Sequence, residues 1–236
     1  MKAIAITVAA FATTLAFAST AHAQEGKTYA PGPFNRIEVD GLAKIRLTQG
    51  DKDQVFVRGD AKVQEQVEVE LTRNRLQIHT TGSWKFWRKD PLQVDVQMRE
   101  PQSIQLSGAS DLQSSGPIRT PRLSVEISGS ADVKMDSLEV DNLRFDISGA
   151  GDGRLAGRAG MLLITLSGTG KVRAEDLKVG GAKVSISGAG GARLWVTDML
   201  DVSISGIGDV DYFGSPGQVR RDTSGLGSIK ALGEKR

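Results

Sequence analysis

The sequence predicts an all-β protein: a right-handed parallel β-helix, or solenoid, whose coils are about 20 residues long. Three observations predict it. First, a Ser-Gly dipeptide recurs at Ser107-Gly108, Ser128-Gly129, Ser148-Gly149, Ser167-Gly168, Ser187-Gly188, Ser205-Gly206 and Ser224-Gly225. Subtraction of successive serine numbers gives steps of 21, 20, 19, 20, 18 and 19 residues. Second, apolar and polar residues alternate ahead of each dipeptide. One position before the serine stand Leu106, Ile127, Ile147, Leu166, Ile186, Ile204 and Thr223, and three before stand Ile104, Val125, Phe145, Ile164, Val184, Val202 and Arg221. That is the period-two signature of strands with one buried face. Third, the residue three past the serine is always small, from Ser110 and Ala131 to Gly227, as a crowded inside corner requires. No single coil can bury its apolar column alone, so the coils stack.

Residues 1–23 read as a secretory signal peptide, with one lysine, an apolar run and a small-x-small site at Ala21-His22-Ala23. The alternative, a transmembrane anchor, fits less well because the run is short and broken by Thr and Ser. The mature chain is therefore expected outside the cytoplasm, in the periplasm or the medium, with no transmembrane span. It has no cysteine and so no disulfide. Removing residues 1–23 removes only Lys2 from the charges, leaving 29 basic and 28 acidic residues and a net charge of +1. That balance argues against a nucleic-acid partner.

Residues 24–33 read as a Gly/Pro linker, and order is expected from Phe34 onward. Ile37 to Leu47 overlays Val125 to Met135 column for column, which makes Gly41 a corner glycine. Val55 to Val63 fits the same frame, with Gly59 at the corner. Residues 34–100 thus read as diverged β-coils, with further strands at Val67–Leu71, Leu76–His79 and Leu92–Met98; a small separate sheet is the alternative. No amphipathic helix stands out unless Asp60–Gln66 makes a turn. Residues 101–236 read as regular coils with corner glycines Gly108, Gly129, Gly149, Gly168, Gly188, Gly206 and Gly225. The final coil is degenerate, with Arg221 and Thr223 in apolar columns, as suits a terminal repeat facing water.

The export signal, the Phe34–Leu47 entry strand and the Ser-Gly-Ala-Gly-Asp coils together resemble the bacterial family described as putative auto-transporter adhesin, head GIN domain. The resemblance spans about Phe34 to Leu232. It implies a β-helical, extracytoplasmic protein of a Gram-negative bacterium, and it supplies no catalytic residue. An autotransporter head would be followed by a membrane barrel, and none is expected for this chain.

The residue four past each serine is often Asp: Asp111, Asp132, Asp152 and Asp209. Glycine-aspartate turns serve calcium in β-rolls that repeat about every nine residues, but one turn per coil falls short of the six or more oxygens calcium takes. No metal and no cofactor is expected. Glu126 and Asp146 share a column on consecutive coils, roughly 5 Å apart, with Arg144 beside them. That spacing suits a glycosidase pair or a solvated, salt-bridged face. Arg58-Gly59-Asp60 matches the integrin-binding tripeptide, although the repeat frame accounts for it. Trp84, Lys85, Phe86, Trp87, Arg88 and Lys89 interrupt the repeat between Gly82 and Pro91. They suit either a binding loop for a glycan, an envelope component or a protein, or a lid on the core. The reading that fits best is an exported, non-enzymatic binding or scaffold module of the cell envelope, adhesin-like. The alternative is a polysaccharide-active β-helix enzyme using the Glu126/Asp146 face.

Overall fold

A strand with a single apolar column must lay it against another apolar surface, and here the other surfaces are further turns of the same chain. The computed structural model describes residues 25–80 and 91–235. Within them the chain winds into a β-solenoid of about 6 turns with roughly 20 residues per turn. It starts with β1 (Gly26–Tyr29), enters the stack through β2 (Arg36–Asp40) and β3 (Leu42–Gln49), and leaves it through β4 (Gln54–Arg58) and the one-turn helix α1 (Ala61–Gln64). It returns by β5 (Val67–Thr72), β6 (Arg75–Thr80), β7 (Leu92–Met98), β8 (Ser103–Leu106) and β9 (Ala109–Ser114). The regular coils follow: β10 (Ile118–Ile127), β11 (Ser130–Ile147), β12 (Gly153–Leu166), β13 (Thr169–Ile186), β14 (Ala189–Ile204), β15 (Ile207–Phe213), β16 (Gln218–Thr223) and β17 (Leu226–Ala231).

Parallel pairing defines three faces. The segment before each Ser-Gly corner forms the first face, running from β8 through the ends of β10 to β14 and on to β16. The segment after the corner forms the second, through β9, the starts of β11 to β14, β15 and β17. Ile118–Thr120, Leu138–Val140, Gly157–Ala159 and Leu177–Val179 stack as the third. From β11 to β14 the strands bend from the second face to the third at register shifts, between Met135 and Leu138 for example, rather than through loops.

The alternating columns point inward. Leu143, Phe145 and Ile147 are buried, as are Leu162, Ile164 and Leu166 one rung on. Burying each such side chain contributes about 1.5–3 kcal/mol. Large and small residues interlock: a Cβ on Gly153 would lie 2.6 Å from the Phe145 ring, so the absence of a side chain there makes room for the phenyl.

At each corner from Ser128-Gly129 to Ser224-Gly225 the Ser and Gly amides converge on one carbonyl of the preceding coil, and at Ser128, Ser148 and Ser167 the hydroxyl joins them. The Ile127 oxygen accepts from Ser148 N–H at 2.8 Å, Gly149 N–H at 3.3 Å and Ser148 Oγ–H at 3.3 Å. Leu106 and Ile147 oxygens do the same for Ser128-Gly129 and Ser167-Gly168. The convergence draws the coils so close that a Cβ on Gly149 would overlap the Gly129 carbonyl oxygen and lie 2.5 Å from that of Ser128. Close approach, and not left-handed backbone, therefore selects glycine in the regular coils; of the nine corner glycines only Gly41 and Gly59 have positive φ, +126° and +138°.

The first half is continuous with the solenoid, but its order in the stack differs from its order in the chain. β6 pairs with β2 and β7 with β3, both parallel, so β6 and β7 form the rung outside the one that β2 and β3 make. On their other side β2 and β3 meet β8 and β9. Two expectations change here. Val55–Val63 is not a coil: β4 runs antiparallel to β7, and Gly59 leads into α1, where Asp60 caps the helix by accepting from Val63 N–H at 3.1 Å. Gly26–Tyr29 is not linker: β1 pairs antiparallel with β4. β5 folds antiparallel onto β6 through Arg73 and Asn74, both at positive φ, as a two-residue hairpin turn needs. These antiparallel strands close the N-terminal end of the stack. At the other end β16 is exposed along its whole length.

Two substitutions check the corner. Gly149→Val should lower stability by about 3 kcal/mol through overpacking. Asp146→Asn, on the outer surface of the same coil, should change it by no more than about 1 kcal/mol. Urea denaturation midpoints measure both, and equal midpoints would contradict the corner packing.

Candidate functional site

Outward-facing side chains in a solenoid form ladders, one rung per coil, roughly 4.8 Å apart. The first-face ladder brings the expected carboxylates together: Glu126 and Asp146 are register partners, and Arg144 sits on the same rung as Asp146. Both carboxylates are engaged. Arg144 Nε donates to Asp146 Oδ2, which raises the Arg144 pKa above its ordinary value, and Gln105 Nε2 donates to Glu126 Oε2 at 3.1 Å. Asp146 Oδ1 is buried without a hydrogen-bond partner among the described residues.

Trp84, Lys85, Phe86, Trp87, Arg88 and Lys89 lie outside the described residues. In Arg58-Gly59-Asp60 both charges have structural work: Arg58 donates to Asp95 Oδ2 at 2.9 and 2.6 Å, and Asp60 caps α1. The aspartate column hydrogen-bonds the backbone of the following coil. Asp132 Oδ1 accepts from Asp152 N–H at 3.1 Å, Asp152 Oδ1 from Lys171 N–H at 2.9 Å, and Asp209 Oδ1 from Ser228 N–H at 2.9 Å. Among the described residues no three His, Cys, Asp or Glu side chains gather as metal ligands, and no helix is long and apolar enough to cross a membrane.

The second face carries a ladder that the reading of the sequence passed over. Two residues beyond the aspartate column, Lys134, Arg154, Arg173 and Arg193 are register partners on four consecutive rungs. Their signal was present, since each stands six positions after its corner serine. Beside them runs a shallow groove of about 560 Å³, bounded at one end by Arg46 and Arg58 and at the other by Arg154 and Arg173. A second hollow of about 300 Å³ shares Arg173 and continues to Arg193 and Asp211. It exists because Gly191 puts no side chain between Lys171 and Asp209, its register partners on either side.

Asp209 gives this face a pH-sensitive seam to the last coil. Ser228 donates to its Oδ1 through Oγ–H at 2.5 Å and through N–H at 2.9 Å, and the two bonds hold its carboxyl below the ordinary aspartate pKa. A lowered folded-state pKa stabilises the fold above the unfolded-state pKa, and that contribution is lost as pH falls through the folded value. The Ser228 amide resonance should therefore titrate with a midpoint below that of an ordinary aspartate. A midpoint at or above the ordinary value would contradict the pairing.

Known structures share this fold. A putative adhesin from Bacteroides fragilis NCTC 9343 superposes with a TM-score of 0.83 at 23% identity, covering 88% of this chain and 96% of that one. A putative adhesin from Parabacteroides distasonis ATCC 8503 has a TM-score of 0.69 at 22% identity, with the same coverage. A protein described as a putative lipid binding protein, from the same strain, has a TM-score of 0.69 at 18% identity, covering 88% of this chain and 96% of its own. At these identities the likeness is one of fold. No protein of curated description matches. The family model described as putative auto-transporter adhesin, head GIN domain, matches residues 33–216, and the chain belongs to that family.

Proposed function

We propose that this protein is an exported, non-enzymatic binding module of the bacterial cell envelope, adhesin-like in role. The observation that carries the reading is the form of the surface in the regular coils: from β10 to β14 the Ser-Gly corners are short, and outward side chains form ladders along the stack. Such a surface suits recognition of an extended partner, whereas enzymes on rigid scaffolds gather their catalytic groups on loops around a cleft. Membership of an adhesin-described family supports the reading. So does the secretory signal read in residues 1–23. The Trp84–Lys89 segment enters the proposal through its residue chemistry alone, as aromatic and basic contact area for a glycan, an envelope component or a protein. Lipid, the role named for one similar structure, would find its apolar contact at Ile207 and Leu226, register partners that are 61% and 73% exposed.

Purified protein starting at Gln24 should bind cell-envelope or glycan material without releasing reducing ends. Release of product that Asp146→Asn abolishes would replace the module with the glycan-cleaving alternative on the Glu126/Asp146 face. Mass spectrometry of the native protein should find its N-terminus near Gln24, and a retained 1–23 segment would contradict export by a cleaved signal.

A further inference from the structure

We infer that the second-face groove is a binding site for a linear acidic polysaccharide, one that carries a carboxylate or sulfate at regular intervals along a hydroxyl-rich chain. The inference rests on the binding-module reading and names its site and ligand class.

The near-neutral balance of the whole chain conceals a local imbalance. In the two outward columns of the second face, the rungs of β11 to β14 hold Lys134, Arg154, Lys171, Arg173 and Arg193 against Asp132 and Asp152. That is five cations against two carboxylates in these columns, and five against four once Asp136 and Asp176, which pair with Lys134 and Arg154, are included. The side chains of Lys134, Arg154, Arg173 and Arg193 remain 49%, 59%, 50% and 52% exposed. Their partners are Asp136, Asp176, Asp152 and Asp211, at 3.0 to 3.6 Å. Exposed pairs of this kind contribute little to stability, so a ligand anion can take the carboxylate's place at low cost. Acidic residues close both ends of the stretch: Asp111 on the rung before, Asp209 and Asp211 on the rung after.

The geometry selects among anions. The four-rung cation column spans roughly 14 Å in steps of roughly 4.8 Å, so it meets a repeated charge along a line and not a single phosphate. The Asp132 and Asp152 carboxylates beside it repel densely charged backbones but accept hydrogen bonds from hydroxyl groups. Arginine presents a planar fork that matches carboxylate and sulfate. The hollow at Gly191 leaves room for a ring against the backbone between Lys171, Arg173 and Arg193. The residues lining the two hollows include no aromatic side chain on which nucleic-acid bases could stack. Hydroxyls and regularly spaced anions together describe an acidic glycan.

The test measures binding of polygalacturonate to the full mature chain at low and at physiological salt, beside neutral dextran and phosphatidylglycerol vesicles. The wild type should bind polygalacturonate more tightly at low salt and ignore dextran. The Arg154→Gln, Arg173→Gln double variant should lose about tenfold or more in affinity and show a shallower salt dependence, with circular dichroism and melting point unchanged. Arg144→Gln, a cation on the first face, should bind as the wild type does. Equal binding by the double variant, or equal loss in Arg144→Gln, would overturn the groove as the site. Vesicle binding in place of polygalacturonate binding would overturn the ligand class. Retention of envelope material by a protein that ignores polygalacturonate would remove this inference and leave the binding module standing. Retention of nothing would remove both.

Discussion

Two amides meeting one carbonyl at each Ser-Gly corner from Ser128 to Ser224 set the spacing on which everything else depends. The Ser and Gly amides of one coil, joined by the hydroxyl at Ser128, Ser148 and Ser167, reach the carbonyl of the residue before the serine of the previous coil. Satisfying that carbonyl brings the two glycines to a separation at which no Cβ fits. Once the corners are fixed, the strands on either side are fixed in register, because a slip by one residue would turn every apolar column outward. The buried stack of Leu143, Leu162 and Ala182, and that of Phe145, Ile164 and Val184, follow from that register.

The same spacing writes the surface. Polar positions between the apolar columns cannot turn inward, so each becomes a ladder whose chemistry is set coil by coil. One ladder mixes Glu126 and Asp146 with neutral Thr165 and Ser185. Another aligns four cations, and a third supplies carboxylates that hold the backbone of the next coil. A side chain omitted at Gly191 becomes a hollow, because neighbouring coils cannot close around the gap. Substitution at one outward position therefore edits the surface with little effect on the core, which suits a fold shared with structures at low sequence identity.

The regular half was legible in the sequence because the pattern there repeats: each column from Ile104 to Val202 recurs at the coil period, and period with alternation is what a solenoid requires. The first half was only partly legible. Alternation marks a strand but does not give its direction, so Val55-Phe56-Val57 followed by Gly59 looks like a coil corner although β4 runs antiparallel. Nor does the pattern say which strands pair, and the insertion of β6 and β7 outside β2 and β3 is a non-local choice. β1 went unread because an edge strand facing water needs no apolar column; its residues are exposed or partly buried. The cation ladder was readable, but only in the column six positions past the serine, where charge looks like ordinary solvent-facing polarity until the coils are stacked. The Glu126/Asp146 pairing followed from the coil period, while its ties to Arg144 and Gln105 needed side-chain geometry.

Interchangeable coils joined at a common corner make excision the most direct test. Deleting residues 148–166 joins Ile147 to Ser167-Gly168 and removes one coil while preserving the corner; deleting residues 148–157 removes about half of one. Thermal unfolding followed by circular dichroism should show a cooperative, β-rich transition for the whole-coil deletion and its loss for the half-coil deletion. Equal disruption by the two deletions, or tolerance of the half-coil one, would contradict a solenoid held in register by its Ser-Gly corners.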